Sequence, residues 1–309
     1  FNTSTSIVVD NPANFFGGLV SLSGTDASLA STSTIDFGSV ALGGNLSVIA
    51  AGITDTSPLN VAGATTLSMG PAGDIVLDNP ASDFSGPLKI MGGNDATLSD
   101  ANDLELLASS LTGNLSVGVA GNLTLSGLIN VGGVAILTTG ANLNVTGGAA
   151  AVSPSALVAG SINVLATAAV LLTGGAGDGS YAALRTTAGN IIITTPLLTL
   201  TAGGGIDADA VILASGNVVI NATCTGCNPL FANPLGNGIT ETGVAADNIP
   251  PSGAAPEPGI ELGLLGLLLN DRDDDIGQLG LLGTTNLSCS VTSTREGTVI
   301  SCAGGQDNL

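Results

Sequence analysis

The chain contains no histidine and no tryptophan, and aromatic residues make up only 2% of its 309 positions. Without histidine, Ser-His-Asp and Cys-His catalytic arrangements are excluded. Paired carboxylates can act without it, as in sugar-cleaving β-helices. Those sites also need aromatic or cationic groups to hold sugar, and this chain has seven aromatics and four cations. An enzyme is therefore not expected. Lys89, Arg185, Arg272 and Arg295 are the only strong cations, against 24 acidic residues and a net charge of −20. Nucleic acid and anionic membrane both require clustered Lys and Arg, so neither is expected as a partner. No apolar run reaches the roughly 20 residues that a membrane-spanning helix needs; Leu262–Leu269 is far too short.

What the chain does have is small. Hydrophobic residues are 44% and glycine supplies 46 positions. A core of Val, Ile, Leu and Ala suits a narrow interior lined by short strands, where a broad globular core would use more aromatic area. Glycine supplies the corners. The first residue is Phe1, and no basic segment followed by an apolar one opens the chain. A processed mature fragment, extracellular or at a cell surface, is the expected form.

A block of about 69 residues occurs twice. Asp10-Asn11-Pro12 returns as Asp78-Asn79-Pro80, Gly44-Asn45-Leu46-Ser47-Val48 as Gly113-Asn114-Leu115-Ser116-Val117, and Leu59-Asn60-Val61 as Ile129-Asn130-Val131. A fixed period implies stacked units that bury their apolar faces against their neighbours. Period-2 alternation recurs in three- to five-residue stretches such as Leu46/Val48, Ile75/Leu77, Leu143/Val145 and Val218/Ile220, punctuated by Gly, Asn, Asp, Ser and Thr. Dividing the block by three gives turns of about 23 residues. The expected fold is all-β, a right-handed parallel β-helix over residues 1–222. An antiparallel sandwich is the rival, but it gives no reason for the long-range repeat.

Residues Asn14–Gly24 (Asn-Phe-Phe-Gly-Gly-Leu-Val-Ser-Leu-Ser-Gly) and Asp83–Ile90 resemble the "NDFTGAV-L-G" phrase of filamentous-haemagglutinin-like exoproteins of the two-partner-secretion type. Gly121–Gly127 with Ile129–Gly133 is similar to their "GNLTLSG…INVGG", and Asp95–Asn102 to their "NVSLTDAN". The resemblance covers residues 1–222. It implies a large secreted β-helical protein at a bacterial surface, adhesive or fibre-like.

Beyond residue 222 the character changes. Residues 223–259 hold six of the 13 prolines and read as a Pro/Gly-rich arm, either a linker or an extended latch. Residues 260–309 hold two Leu-rich runs and a hairpin. The runs centre on Leu262, Leu264 and Leu265, and on Leu279, Leu281 and Leu282. They either cap the helix or dock on another subunit. Cys289 and Cys302 lie symmetrically about Arg295-Glu296, so a hairpin would set them opposite each other at disulfide distance. Cys224 and Cys227 would then close a short loop. A four-cysteine zinc site and crossed or inter-subunit pairings remain as alternatives. Asp271, Asp273 and Asp275 partly match a calcium loop, although the glycine falls one place late and Leu282 stands where the bidentate acid belongs. A solvated acidic turn is the competing reading; no other cofactor is expected. Asn-x-Ser/Thr sequons occur at Asn2, Asn45, Asn114, Asn122, Asn144, Asn221 and Asn286, a number that this composition yields by itself. The expected function is a secreted structural subunit whose partner is a second copy of itself, stacked head to tail into an extracellular fibre or sheath. The alternative is an adhesin stalk that binds glycans or proteins on a host or neighbouring cell surface.

Overall fold

A computed structural model describes residues 1–225 and the strands Phe231–Ala232, Ile239–Thr242, Ser288–Thr294 and Gly297–Ala303, with side-chain surroundings described through residue 222. All strands before Ser288 join one large sheet, and every pairing in it is parallel. The chain winds through three faces in fixed order. Face 1 carries Ile7–Val9, Ala27–Ala30, Leu46–Ala50, Thr65–Met69 and Leu88–Ile90, and later Ser155–Ala159, Ala182–Thr186 and Ala210–Leu213. Face 2 runs from Ile35 through Ile53, Ile75, Ala96, Leu115, Ala135, Ile162 and Ile191 to Val218. Face 3 carries Leu22, Val40 and Leu59, then Leu104, Leu123, Leu143, Val170 and Leu198. This is a parallel β-solenoid, and the sandwich alternative falls because that long-range pairing is parallel throughout.

Alternation explains the burial. In Leu46–Ala50 the buried, partly exposed, buried, exposed, buried pattern puts Leu46, Val48 and Ala50 inside. The face 2 stack from Ile35 to Val218 is at most 2% exposed throughout. Each Val, Leu or Ile in it contributes about 1.5–3 kcal/mol on burial, and the two alanines less. Phe37 and Phe84 are the largest fully buried side chains, so a core nearly without aromatics fills itself with branched aliphatics. Polar side chains are also buried, and one of them, Thr65 between Leu46 and Leu88, is 0% exposed with a hydroxyl that has no partner.

The registers correct the expected turn of 23 residues. Ala27 pairs with Leu46 and Leu46 with Thr65, steps of 19. Steps in the first part of the solenoid range from 17 to 23. Leu46 therefore sits on face 1 and its repeat copy Leu115 on face 2; Leu59 sits on face 3 and its copy Ile129 on face 1. The 69-residue block is three coils plus one face. From about residue 128 the coils widen: Ile129 pairs with Leu157, Leu157 with Leu184 and Ile162 with Ile191, steps of 28, 27 and 29. Parallel pairing runs on past residue 222, through Phe231–Ala232 to Ile239–Thr242.

Candidate functional site

The corners hold the polar chemistry of the described chain. At the entry to face 2, Asp74 Oδ1 accepts from the Asp95 amide at 3.1 Å. Asp95 Oδ1 accepts from the Asn114 amide at 2.6 Å and from Asn114 Nδ2 at 3.0 Å. Asn114 Oδ1 in turn accepts from the Val134 amide at 2.8 Å. The same ladder opens face 1, where Asp26 accepts from the Asn45 amide and Asn45 from that of Ala64, both at 2.8 Å. It also opens face 3, where Asp103 accepts from Asn122 at 2.7 Å and Asn122 from Asn142 at 3.2 Å. Each side chain holds an amide at the start of the next coil's strand or one residue before it, a donor that the corner would otherwise leave unpaired. The Asn45 amide, helped by the Ser6 hydroxyl, holds the Asp26 carboxyl below its ordinary range.

The glycine before the ladder asparagines Asn45, Asn114 and Asn122 has a steric reason. A Cβ on Gly44 would collide with Asp26 Oδ1, on Gly113 with Asp95 Oδ1 and on Gly121 with Asp103 Oδ1. The Gly-Asn phrase is thus a corner unit that works on any face, and it accounts for a repeat that advances by one face per copy. Sequence reading found the phrase and missed its role; the recurring Gly-Asn before each strand was the available signal. It also bears on the sequons, since Asn45, Asn114 and Asn122 are ladder residues.

Two acids sit deeper. Asp100, 3% exposed, accepts from the Phe84 amide at 2.8 Å and the Asn102 amide at 2.7 Å. Asp55 accepts from the Asp78 amide at 3.3 Å, while its buried Oδ2 has no partner. Burial pushes both carboxyls above the ordinary range, with neighbouring carboxylates adding to the effect. Asp55 holds the start of the Asp78–Ser82 turn and Asp100 the Phe84 amide just beyond it, a structural task.

The widened coils carry three stacked Gly-rich loops, 147–154, 174–181 and 202–209. Each is closed alike: the Gly148 amide bonds Ser153 O, the Gly175 amide Ser180 O and the Gly203 amide Ala208 O, all at 2.6 Å. Between loops, the Val152 amide donates to Asp178 O and the Gly179 amide to Ile206 O. Ser180 Oγ donates to Ala150 O at 2.7 Å and accepts from the Ser153 amide at 3.1 Å. Val152, Gly179 and Asp207 all adopt positive φ, at 52°, 68° and 56°. Glycine fits there; a β-branched valine, 80% exposed, does not fit without strain. A shallow cavity of about 300 Å³ lies elsewhere, lined by residues that include Leu42, Val61, Asp83 and Ser85.

The predicted site residues distribute as follows. Ser288–Thr294 and Gly297–Ala303 pair antiparallel, with Cys289 directly opposite Cys302. Cys224 lies on the strand Val218–Thr225. Cys227, Asp271, Asp273, Asp275, Leu262, Leu264, Leu265, Leu279, Leu281 and Leu282 lie outside the described residues. Among the described residues no group of three or more Cys, Asp or Glu is arranged to hold a metal ion, and no helix is long and apolar enough to cross a membrane.

Fold and corners together define a repeat protein of the parallel β-solenoid class. Residues 24–90 and 93–146 match the model of a family described as repeats of unknown function (DUF5649). The two matched segments cover less than half of the chain and end before the first of the wide loops. No curated protein and no solved structure matches the chain.

Proposed function

We propose that the chain is a secreted structural subunit, a right-handed β-helix that stacks head to tail into an extracellular fibre or sheath at a bacterial surface. One observation carries this reading. Every pairing in the large sheet is parallel, so along the described chain each coil meets its neighbour edge to edge in one geometry. The same parallel edge and corner amides recur at every coil, so a coil of a second copy meets the geometry that this chain already satisfies internally. A head-to-tail contact of that kind is heterologous and propagates as an open filament. The haemagglutinin-like phrases agree with such a role, and so does the charge of −20, which keeps copies apart except where contact is specific.

In this reading the carboxyl-terminal part is the latch. The Leu-rich runs dock on the neighbouring subunit, and Cys289–Cys302 and Cys224–Cys227 staple it in an oxidising compartment. No catalytic group, calcium or other cofactor is required. Electron microscopy of the purified chain tests the proposal: filaments that disappear on truncation after Ala222 support it, and monodisperse short rods at high concentration overturn it.

A second reading, an adhesin stalk, draws on outward-facing polar positions such as Thr97, Ser116, Asn144 and Asn163. Saturable glycan or cell binding that survives the same truncation would favour it over assembly.

A further inference from the structure

Charge is distributed unevenly along the solenoid. No Asp, Glu, Lys or Arg occurs between Glu105 and Asp178, nor between Arg185 and Asp207. Those two stretches include face 2 of the widened coils, in the strands Val134–Thr139 and Ser161–Ala166 and the 191–194 segment. Its outward rows are in register: Ile136 beside Asn163 beside Ile192, and Thr138 beside Leu165 beside Thr194. Val134, Ile136 and Leu165 are 40%, 44% and 47% exposed. The flanking coils add Ser116 and Gly118 on one side and Val219 and Asn221 on the other, again without charge.

We propose that this face is a lateral pairing surface, and that its partner is the same face of a second copy of this chain. Two arguments select that partner. A chain of net charge −20 repels its copies wherever acids face each other, and this face lets two copies approach with no charged side chain between them. The pattern also suits a two-fold contact, because the Ser161–Ala166 strand is the middle one of five and carries Leu165, with Ile136 on the strand before it and Ile192 on the strand after. Strand spacing and rise make five coils about 24 Å by 20 Å, so that roughly 500 Å² is covered per copy and about 1,000 Å² in total. That is the low end for specific association. One pair binds weakly, and contacts repeated along aligned solenoids add as avidity.

The test is sedimentation with small-angle scattering on the full chain, reading cross-section separately from length. The wild type is expected to double its cross-sectional mass as concentration rises, more readily at 0.5 M salt, where repulsion is screened. Ile136→Glu with Leu165→Glu, both surface changes, should weaken that doubling at least tenfold. Ser47→Glu with Thr66→Glu, which adds the same charge on face 1, should leave it largely intact. Single-width particles at every concentration would overturn the proposal, as would equal loss in both double variants. Growth in length without width would overturn lateral pairing and leave the head-to-tail reading standing; growth in width alone would do the reverse.

Discussion

The narrow and wide coils of one solenoid solve the same problem with different chemistry. In the narrow coils each corner turns tightly, and Asp or Asn side chains reach across the coil step to hold the next strand's amide. In the wide coils, the corner entering face 1 becomes an eight-residue loop stacked largely through the backbone, glycine on glycine, with Ser180 Oγ and Asp178 Oδ1 adding side-chain bonds, while the corner entering face 2 keeps its ladder, Asn190 accepting from the Asn217 amide at 2.7 Å. Side-chain ladders demand an Asx at each step, and a glycine before the asparagine where it stacks on an aspartate. The wide loops lean on glycine, with few side-chain bonds between them. The first solution leaves a repeating phrase in the sequence, and the family match stops at residue 146, where the second begins.

This contrast can be broken most forcefully in the wide loops. A Cβ on Gly175 would collide with Gly148 O and the Gly147 backbone, neither of which can rotate away as a side chain could. Gly175→Val is expected to cost about 3 kcal/mol, a loss that chemical denaturation would read directly. In the ladders, Asn114→Ala removes the acceptor for Val134 and the donor to Asp95, but water reaches this exposed corner. A loss of about 1 kcal/mol is expected.

Two substitutions should stabilise, one in each region. Thr65→Val keeps the shape and removes a buried hydroxyl that has no partner, a gain of about 1–2 kcal/mol. Val152→Gly relieves a valine at φ 52° where the next loop already uses Gly179, a gain of about 1 kcal/mol. Thermal midpoints of the two variants measure both; a fall in either would refute its explanation.

The smallest effect is pH dependence, and it belongs to the narrow coils. Asp55 and Asp100 have folded-state values raised above the unfolded value of 3.8. The folded form therefore binds protons more readily than the unfolded chain, so stability rises as pH falls from neutrality through the raised folded values, and levels off below the unfolded one. Asp26, held low by the Asn45 amide, opposes this at the acidic end. Denaturant midpoints between pH 7 and pH 4 should increase, and the increase should vanish in Asp55→Asn with Asp100→Asn.

Much of the architecture was legible because strand and corner leave local signatures. Alternations such as Leu46/Val48 and Leu143/Val145 marked real strands facing inward. Coil length was not legible, because the 69-residue block does not close on a whole number of turns. The repeating phrase works equally well on all three faces, so the period of the sequence and the period of the coil differ. The widened loops were hidden for a related reason: backbone-to-backbone stacking leans mainly on glycine, which this chain has everywhere. The predicted cysteine, aspartate and leucine sites all lie in residues 223–309, where the structure gives the hairpin register that sets Cys289 opposite Cys302 and no side-chain surroundings.

The interchangeability of the faces is the central claim, and one excision tests it. Deleting Leu46 through Asn114 joins Asn45 to Leu115, removes one block, and asks every later strand to move round by one face. A cooperative thermal transition and β-rich circular dichroism are predicted for this shortened chain. Deleting Leu46 through Pro80, which breaks phase, should abolish both. Loss of cooperative unfolding in the 69-residue excision as well would contradict the account.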